Sequence, residues 1–227
     1  MNVLGLDTST AASAACLIRG DGRAFEVAPA ARALTGRPAH ARELMPAVAR
    51  VIADAGLGFD DLDAVAVGTG PGAFTGLRIG IATARALAVA RGLPLHPVSS
   101  LAALAAGVDA PLALAVLDAR RGEVFAALHE RAEQRWAPFV ARPEALAERV
   151  RAASLTPLAA GEGAIRYRRE LEGAGARVLP EDSPYHVVRA LAICRLGADV
   201  APVAPEAVLP DYLRMPDAVP PPQTPRP

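Results

Sequence analysis

Apolar residues fall along the chain in two alternating rhythms, short continuous runs and longer stripes at helical spacing. Asn2 to Asp7 and Ala12 to Ile18 are short apolar runs, separated by Thr8-Ser9-Thr10 and closed by Arg19-Gly20-Asp21-Gly22. With Arg23 to Ala28 as a third strand, they predict an antiparallel meander. The period then changes. Leu44, Val48, Val51, Ile52 and Ala55 recur at helical spacing, predicting a helix over 41–55 that Gly56 and Gly58 end, with Pro46 in its first turns or kinking it. Ala64 to Gly68 reads as a strand, 69–75 as a glycine-rich loop, Gly76 to Ala90 as a helix stopped by Gly92 and Pro94, and Leu95 to Val98 as a strand. Beyond a short helix at 99–106, the pattern predicts strands at 112–117 and 123–129 and another near Leu158. It predicts helices near 144–153, 165–172 and 186–199.

Strands alternating with helices give an α/β fold, with a first subdomain over 1–106 and a smaller one over 107–215. Pro220-Pro221-Pro222 and Pro225 mark 216–227 as a tail with too little apolar surface to fold. No internal repeat with a clean period is visible.

Composition narrows the function classes. With 52% hydrophobic and 21% charged residues, much of the apolar share being alanine, the 227-residue chain can bury a large core of closely packed helices. Twenty-four basic residues balance 24 acidic ones, so the chain lacks the charge that by itself would hold a nucleic-acid backbone. No lysine occurs, which reads first as genomic bias. Cys16 and Cys194 lie far apart in apolar surroundings, the pattern of reduced thiols. Without a basic, apolar leader or a run of roughly 18 apolar residues, a cytoplasmic protein is expected.

Two stretches offer chemistry. Asp7-Thr8-Ser9-Thr10 at a strand end could approach a phosphate or a metal-bound water, although such residues also form turns on their own backbone. Gly68-Thr69-Gly70-Pro71-Gly72-Ala73-Phe74-Thr75-Gly76 lies between a strand and a helix, where glycines allow close approach to an anion. It lacks the lysine and hydroxyl of a P-loop and the spacing of a dinucleotide site. In the helix that follows, Gly76, Gly80, Ala84 and Ala88 form a stripe of small residues, suited either to a second chain or to burial in its own domain. Asp118-Ala119-Arg120-Arg121-Gly122-Glu123 reads as a charged hairpin turn or as part of a cleft wall. Arg166, Arg168 and Arg169 read as a solvated face. His40, His96, His129 and His186 show no ligand spacing, so no metal is expected, and lone histidines of this kind are expected at the surface or at caps.

Together, VLGLDTSTAASAACL, HARELMP, VAVGTGPGAFTGLRIGIATARALA, VLDARRGEVFAAL and PDYLRMP resemble the TsaB (YeaZ) family, partner subunits of TsaD in forming threonylcarbamoyladenosine in tRNA. The resemblance is close over most of the first 130 residues and loose beyond. It implies an actin-like (ASKHA) fold of two ribonuclease H-like subdomains. It also implies a dimer in which the helices starting near His40 and Gly76 form a four-helix bundle with those of a partner. Leu44, Val48, Val51, Phe74, Leu77, Gly80, Ile81, Ala84 and Ala88 are the expected interface. The implied partners are TsaD, or a second copy of the chain, with the ATPase subunit TsaE joining the pair and tRNA reached indirectly. Where the catalytic relative carries two metal-binding histidines, this chain has Ser100 and Leu104.

The expected function is therefore a non-catalytic scaffold subunit, with no tightly bound cofactor and no catalytic residues. Asp7, Thr8, Ser9, Thr10, Gly70 and Gly72 would be vestigial nucleotide loops, with ATP an open ligand. The alternative is an independent actin-like ATPase or a metallopeptidase-like enzyme, although HExxH and any assignable nucleophilic triad are absent.

Overall fold

The computed structural model describes residues 1–131 and 133–213, so the expected proline-rich tail at 216–227 and the end of the PDYLRMP stretch lie outside the described residues. The chain opens with the meander β1 (Val3–Asp7), β2 (Ala14–Ile18) and β3 (Ala24–Val27). There follow α1 (His40–Asp54), β4 (Ala64–Gly70), α2 (Phe74–Arg91), β5 (Leu95–Ser99) and α3 (Ser100–Ala106). The five strands form one sheet in the order β3-β2-β1-β4-β5, antiparallel across β1, β2 and β3 and parallel from β1 to β4 to β5.

The second lobe contains β6 (Leu112–Arg120), β7 (Glu123–Glu130), β8 (Glu133–Ala141), α4 (Pro143–Ala152), β9 (Leu158–Ala160), α5 (Glu162–Arg166), α6 (Arg168–Glu172) and β10 (Arg177–Val178). Its sheet runs β8-β7-β6-β9-β10. Strand for strand this repeats the first: an antiparallel meander, then two parallel strands added beside the first strand of the meander. The repeat absent from the sequence is present in the topology, and two such lobes make up the actin-like fold.

Alternation along the strands explains the layers. Leu4 and Leu6 of β1 and Val65 and Val67 of β4 pack with Leu44, Val48, Val51 and Ile52 of α1 and Ile81, Ala84 and Ala88 of α2. Val3, Cys16, Ala64 and Ala66 on the opposite face meet α3 and a last helix, α7 (Ala190–Asp199). That same core continues into Ala113, Ala115, Leu117 and Phe125 of the second sheet, whose other face packs Leu114, Val116 and Leu128 against α4 and α6.

Three sequence expectations change. Helix α7 starts at Ala190, after a 3-10 turn at Pro184–His186, and packs on β1 and β2. The chain thus returns to the first lobe, which takes in α7 as well as residues from 1–106. Glu26 on β3 fixes the return by pairing with Arg189 and accepting a hydrogen bond from Leu191 N at 3.0 Å. The helix expected at 165–172 is two short ones interrupted at Tyr167, and α1 runs unbroken past Pro46. No helix among the described residues is long and apolar enough to cross a membrane.

Candidate functional site

Between the lobes lies a cleft of about 730 Å³. From the first lobe come Ser9, Thr10 and Ala11 of the β1–β2 loop and Gly72, Ala73 and Phe74 before α2. From the second come Asp118 and Arg120 at the end of β6, Phe125 of β7, and Glu162 and Arg166 of α5. Asp211 and Tyr212 close the rim: Asp211 N donates to Thr69 O at 2.8 Å, and the Tyr212 ring stacks on Phe74 at 5.3 Å. Arg78 lies over the Phe74 ring at 3.8 Å and donates to the Tyr212 hydroxyl at 3.0 Å.

Of the six residues expected to hold a nucleotide, Ser9, Thr10 and Gly72 line this cleft, and Asp7, Thr8 and Gly70 do not. Asp7 is 2% exposed, and both carboxylate oxygens are engaged. Oδ1 accepts from Ser9 N at 2.9 Å and Ser9 Oγ at 2.7 Å, and Oδ2 accepts from Ser100 Oγ at 2.7 Å. Burial raises its pKa, against the pull of those hydrogen bonds. Ser100, where the catalytic relative is expected to carry a histidine, thus locks the carboxylate in place. Thr8 Oγ1 donates to Gly76 O at 2.7 Å, and Gly70 N donates to Ser100 Oγ at 3.2 Å. The arrangement is a closed internal network. Each Asp7 oxygen is thus already held by a serine hydroxyl of its own chain.

Topology makes Asp118 the counterpart of Asp7, since each stands at the end of the first strand of its lobe. Asp118 is also tied up, accepting from Arg120 N at 2.9 Å and from Arg166 at 2.9 Å. Glu162 differs. Its Oε2 is buried without a hydrogen-bond partner, and burial pushes the carboxyl up to about 7. Glu162 was not anticipated. Its signal was Gly161-Glu162-Gly163 where β9 passes into the first residues of α5, the counterpart of the glycine loop between β4 and α2, legible only once the second lobe is seen to repeat the first.

The expected interface needs correction. Leu44, Val48, Val51, Leu77, Gly80, Ile81, Ala84 and Ala88 are all buried in this chain's own structure, and Phe74 alone of the nine is exposed, at 44%. The small stripe serves an internal purpose: a Cβ at Gly76 would run into the Thr8 carbonyl, and one at Gly80 into the Thr8 hydroxyl. The outward faces hold other residues: Ala41, Met45, Ala49 and Ala53 at every fourth position of α1, and Thr75, Ala82, Ala86 and Val89 on α2. The four histidines are likewise buried rather than superficial. His186 accepts from Gly161 N at 3.0 Å through Nδ1, and its Nε2 lies 2.9 Å from Pro180 O, a structural role. Among the described residues no three His, Cys, Asp or Glu side chains gather as a metal site.

Comparison with known proteins agrees with this architecture. Residues 35–160 match the family described as TsaD: tRNA N6-adenosine threonylcarbamoyltransferase. An uncharacterised protein of Mycobacterium leprae is 43% identical over 142 residues, which cover 62% of this chain and 39% of that protein. A Mycobacterium tuberculosis relative is 46% identical, and the match covers 56% of its length. The chain therefore spans roughly two fifths to just over half of these relatives. The tRNA threonylcarbamoyladenosine biosynthesis protein TsaB of Escherichia coli is 35% identical over 175 residues, 72% of each chain. Among solved structures, YeaZ from Pseudomonas aeruginosa superposes with a TM-score of 0.74 at 30% identity, covering 92% of this chain and 100% of that one. With more than half of its length matched to the TsaD-type family and its sequence and fold shared with TsaB and YeaZ, the chain belongs to the TsaB (YeaZ) family.

Proposed function

We propose that this chain serves tRNA threonylcarbamoyladenosine biosynthesis as a non-catalytic subunit, presenting the outer face of α1 and α2 to a TsaD-type catalytic partner. The observation that carries the reading is the apolar outer face itself. Ala41, Met45, Ala49 and Ala53 on α1, with Ala82, Ala86 and Val89 on α2, stand exposed on adjacent helices, and Met45 and Val89 are 42% and 68% exposed. Small residues at four-residue spacing let helices of a second chain approach closely, and such a strip is the surface a bundle needs. The name of the Escherichia coli relative supports the pathway, and the match to the TsaD-type family supports a partner of related fold.

The enzymatic alternative finds less support, because Asp7 and Asp118 are both engaged by their own chain. The test is to mix the chain with TsaD from the same source, follow both by size-exclusion chromatography with light scattering, and assay threonylcarbamoyl transfer to tRNA. A heterodimer whose activity needs both chains is the expected result. Failure to associate, with ATP turnover by this chain alone, would overturn it.

A further inference from the structure

After α7, residues 200–213 run back along α2. Pro202, Pro205 and Pro210 remove backbone donors and favour an extended course, so the stretch lies as a strap rather than as another long helix. Three contacts fix its path. Val203 N donates to Leu95 O at 2.9 Å just beyond the end of α2, the 3-10 turn at Pro205–Ala207 packs on α2, and Tyr212 reaches Phe74 and Arg78 in its first turns. Val208 is buried in one cluster with Ile81, Ala84 and Ala88 of α2 and pins the middle of the strap.

Apolar side chains project from this strap. Leu209, next to the buried Val208, is 68% exposed, and Val200, Val203 and Tyr212 are each 37% exposed. Single exposed apolar residues scattered over a surface are ordinary, but these are gathered. Of the nine large apolar side chains exposed among the described residues, three stand on α1 or α2 and four on the strap. The outer strip of α1 and α2 is mostly alanine. Its exposed area comes to roughly half of the about 800 Å² that each side of a stable interface gives up. Phe74, Val203, Leu209 and Tyr212 supply roughly the other half. Small residues let helices approach, whereas binding energy gathers on bulky anchors within the same patch.

We propose that the strap is part of the surface covered by the TsaD-type catalytic partner, with Leu209 as its apolar anchor and α2 at the centre of the contact. The inference rests on the function proposed above and extends it, from a pair of helices to a face of three ridges formed by α1, α2 and the strap. The partner that fits carries apolar side chains beyond its own helices, reaching across α2 to Leu209. The strap ends at Asp211 and Tyr212 on the rim of the cleft, so a partner seated on Leu209 also holds that rim in place.

The test measures the affinity of the full chain for TsaD from the same source by isothermal titration calorimetry, comparing Leu209→Asp and Leu209→Ala with Met45→Glu on α1. Circular dichroism should be unchanged in all three, because the side chains replaced are exposed. The expected result is that Leu209→Asp weakens the heterodimer about tenfold or more and Leu209→Ala about fivefold, and that the partner slows amide exchange at 203–212. If Met45→Glu weakens the complex while both Leu209 variants bind as tightly as the unaltered chain, the helix face stands and the strap is no part of it, which overturns this inference alone. If neither position matters, or no heterodimer forms, the proposed function fails and this inference with it. Loss of self-association in Leu209→Asp with the heterodimer intact would assign the strap to a second copy of this chain, and would overturn the inference likewise.

Discussion

Gly72, Gly76 and Gly80 are bare because the Thr8–Ser9 turn fills the volume their side chains would need. The glycine loop and the α2 stripe thus hold the β1–β2 turn in place. Gly80→Ala forces a methyl group against Thr8, and a loss of about 1–3 kcal/mol is expected in urea unfolding, with no change in any partner affinity that survives folding. Glu162 gives a pH signature. Its carboxyl has an ordinary value of 4.5 and about 7 when folded, so the folded chain holds the extra proton between those values. Stability therefore falls as pH rises through that window, by up to about 3 kcal/mol, and Glu162→Gln should abolish that part of the slope in denaturation curves measured across it. At this scale the sequence was half legible. Runs such as Asp7-Thr8-Ser9-Thr10 flag themselves by residue type. What types cannot say is whether Ser9 and Ser100 turn towards a ligand or towards Asp7, because a β1–α3 approach across the fold decides it.

Helices α1 and α2 illustrate how period reveals an element before it reveals direction. Leu44, Val48 and Val51 at helical spacing were sufficient to place α1, yet the same spacing fits a buried face and a partner face equally well. Burial settles it. Alanines in both elements complicate the reading further, since Ala84 and Ala88 are buried while Ala82 and Ala86 are exposed. The outward strip carries a prediction of its own: the double variant Met45→Glu, Ala86→Glu should leave circular dichroism unchanged and abolish the heterodimer by light scattering, because two carboxylates would be buried unpaired at its centre. Strand β8 escaped the pattern because it is an edge strand with three exposed polar residues at its start and Pro138 within it. Strand β10, only two residues long, has no period to read.

At the scale of the whole molecule the two lobes share one core. The face of the first sheet carrying Val3 and Cys16, helices α3 and α7, and the face of the second sheet carrying Leu117 and Phe125 belong to one continuous apolar cluster. Calorimetry should therefore record one unfolding transition with agreeing calorimetric and van't Hoff enthalpies, and two resolved transitions would show the lobes to be independent. The backbone passes between the lobes at 107–111 and returns at 179–189 before α7 docks on β1. Two crossings constrain motion differently from one. A body fastened at two places turns most readily about the line through them, so opening and narrowing of the cleft is the rotation that strains the two crossings least. Whatever widens the cleft must also disturb the apolar cluster that joins the two sheets through α3 and α7, so hinge and core meet in the same motion.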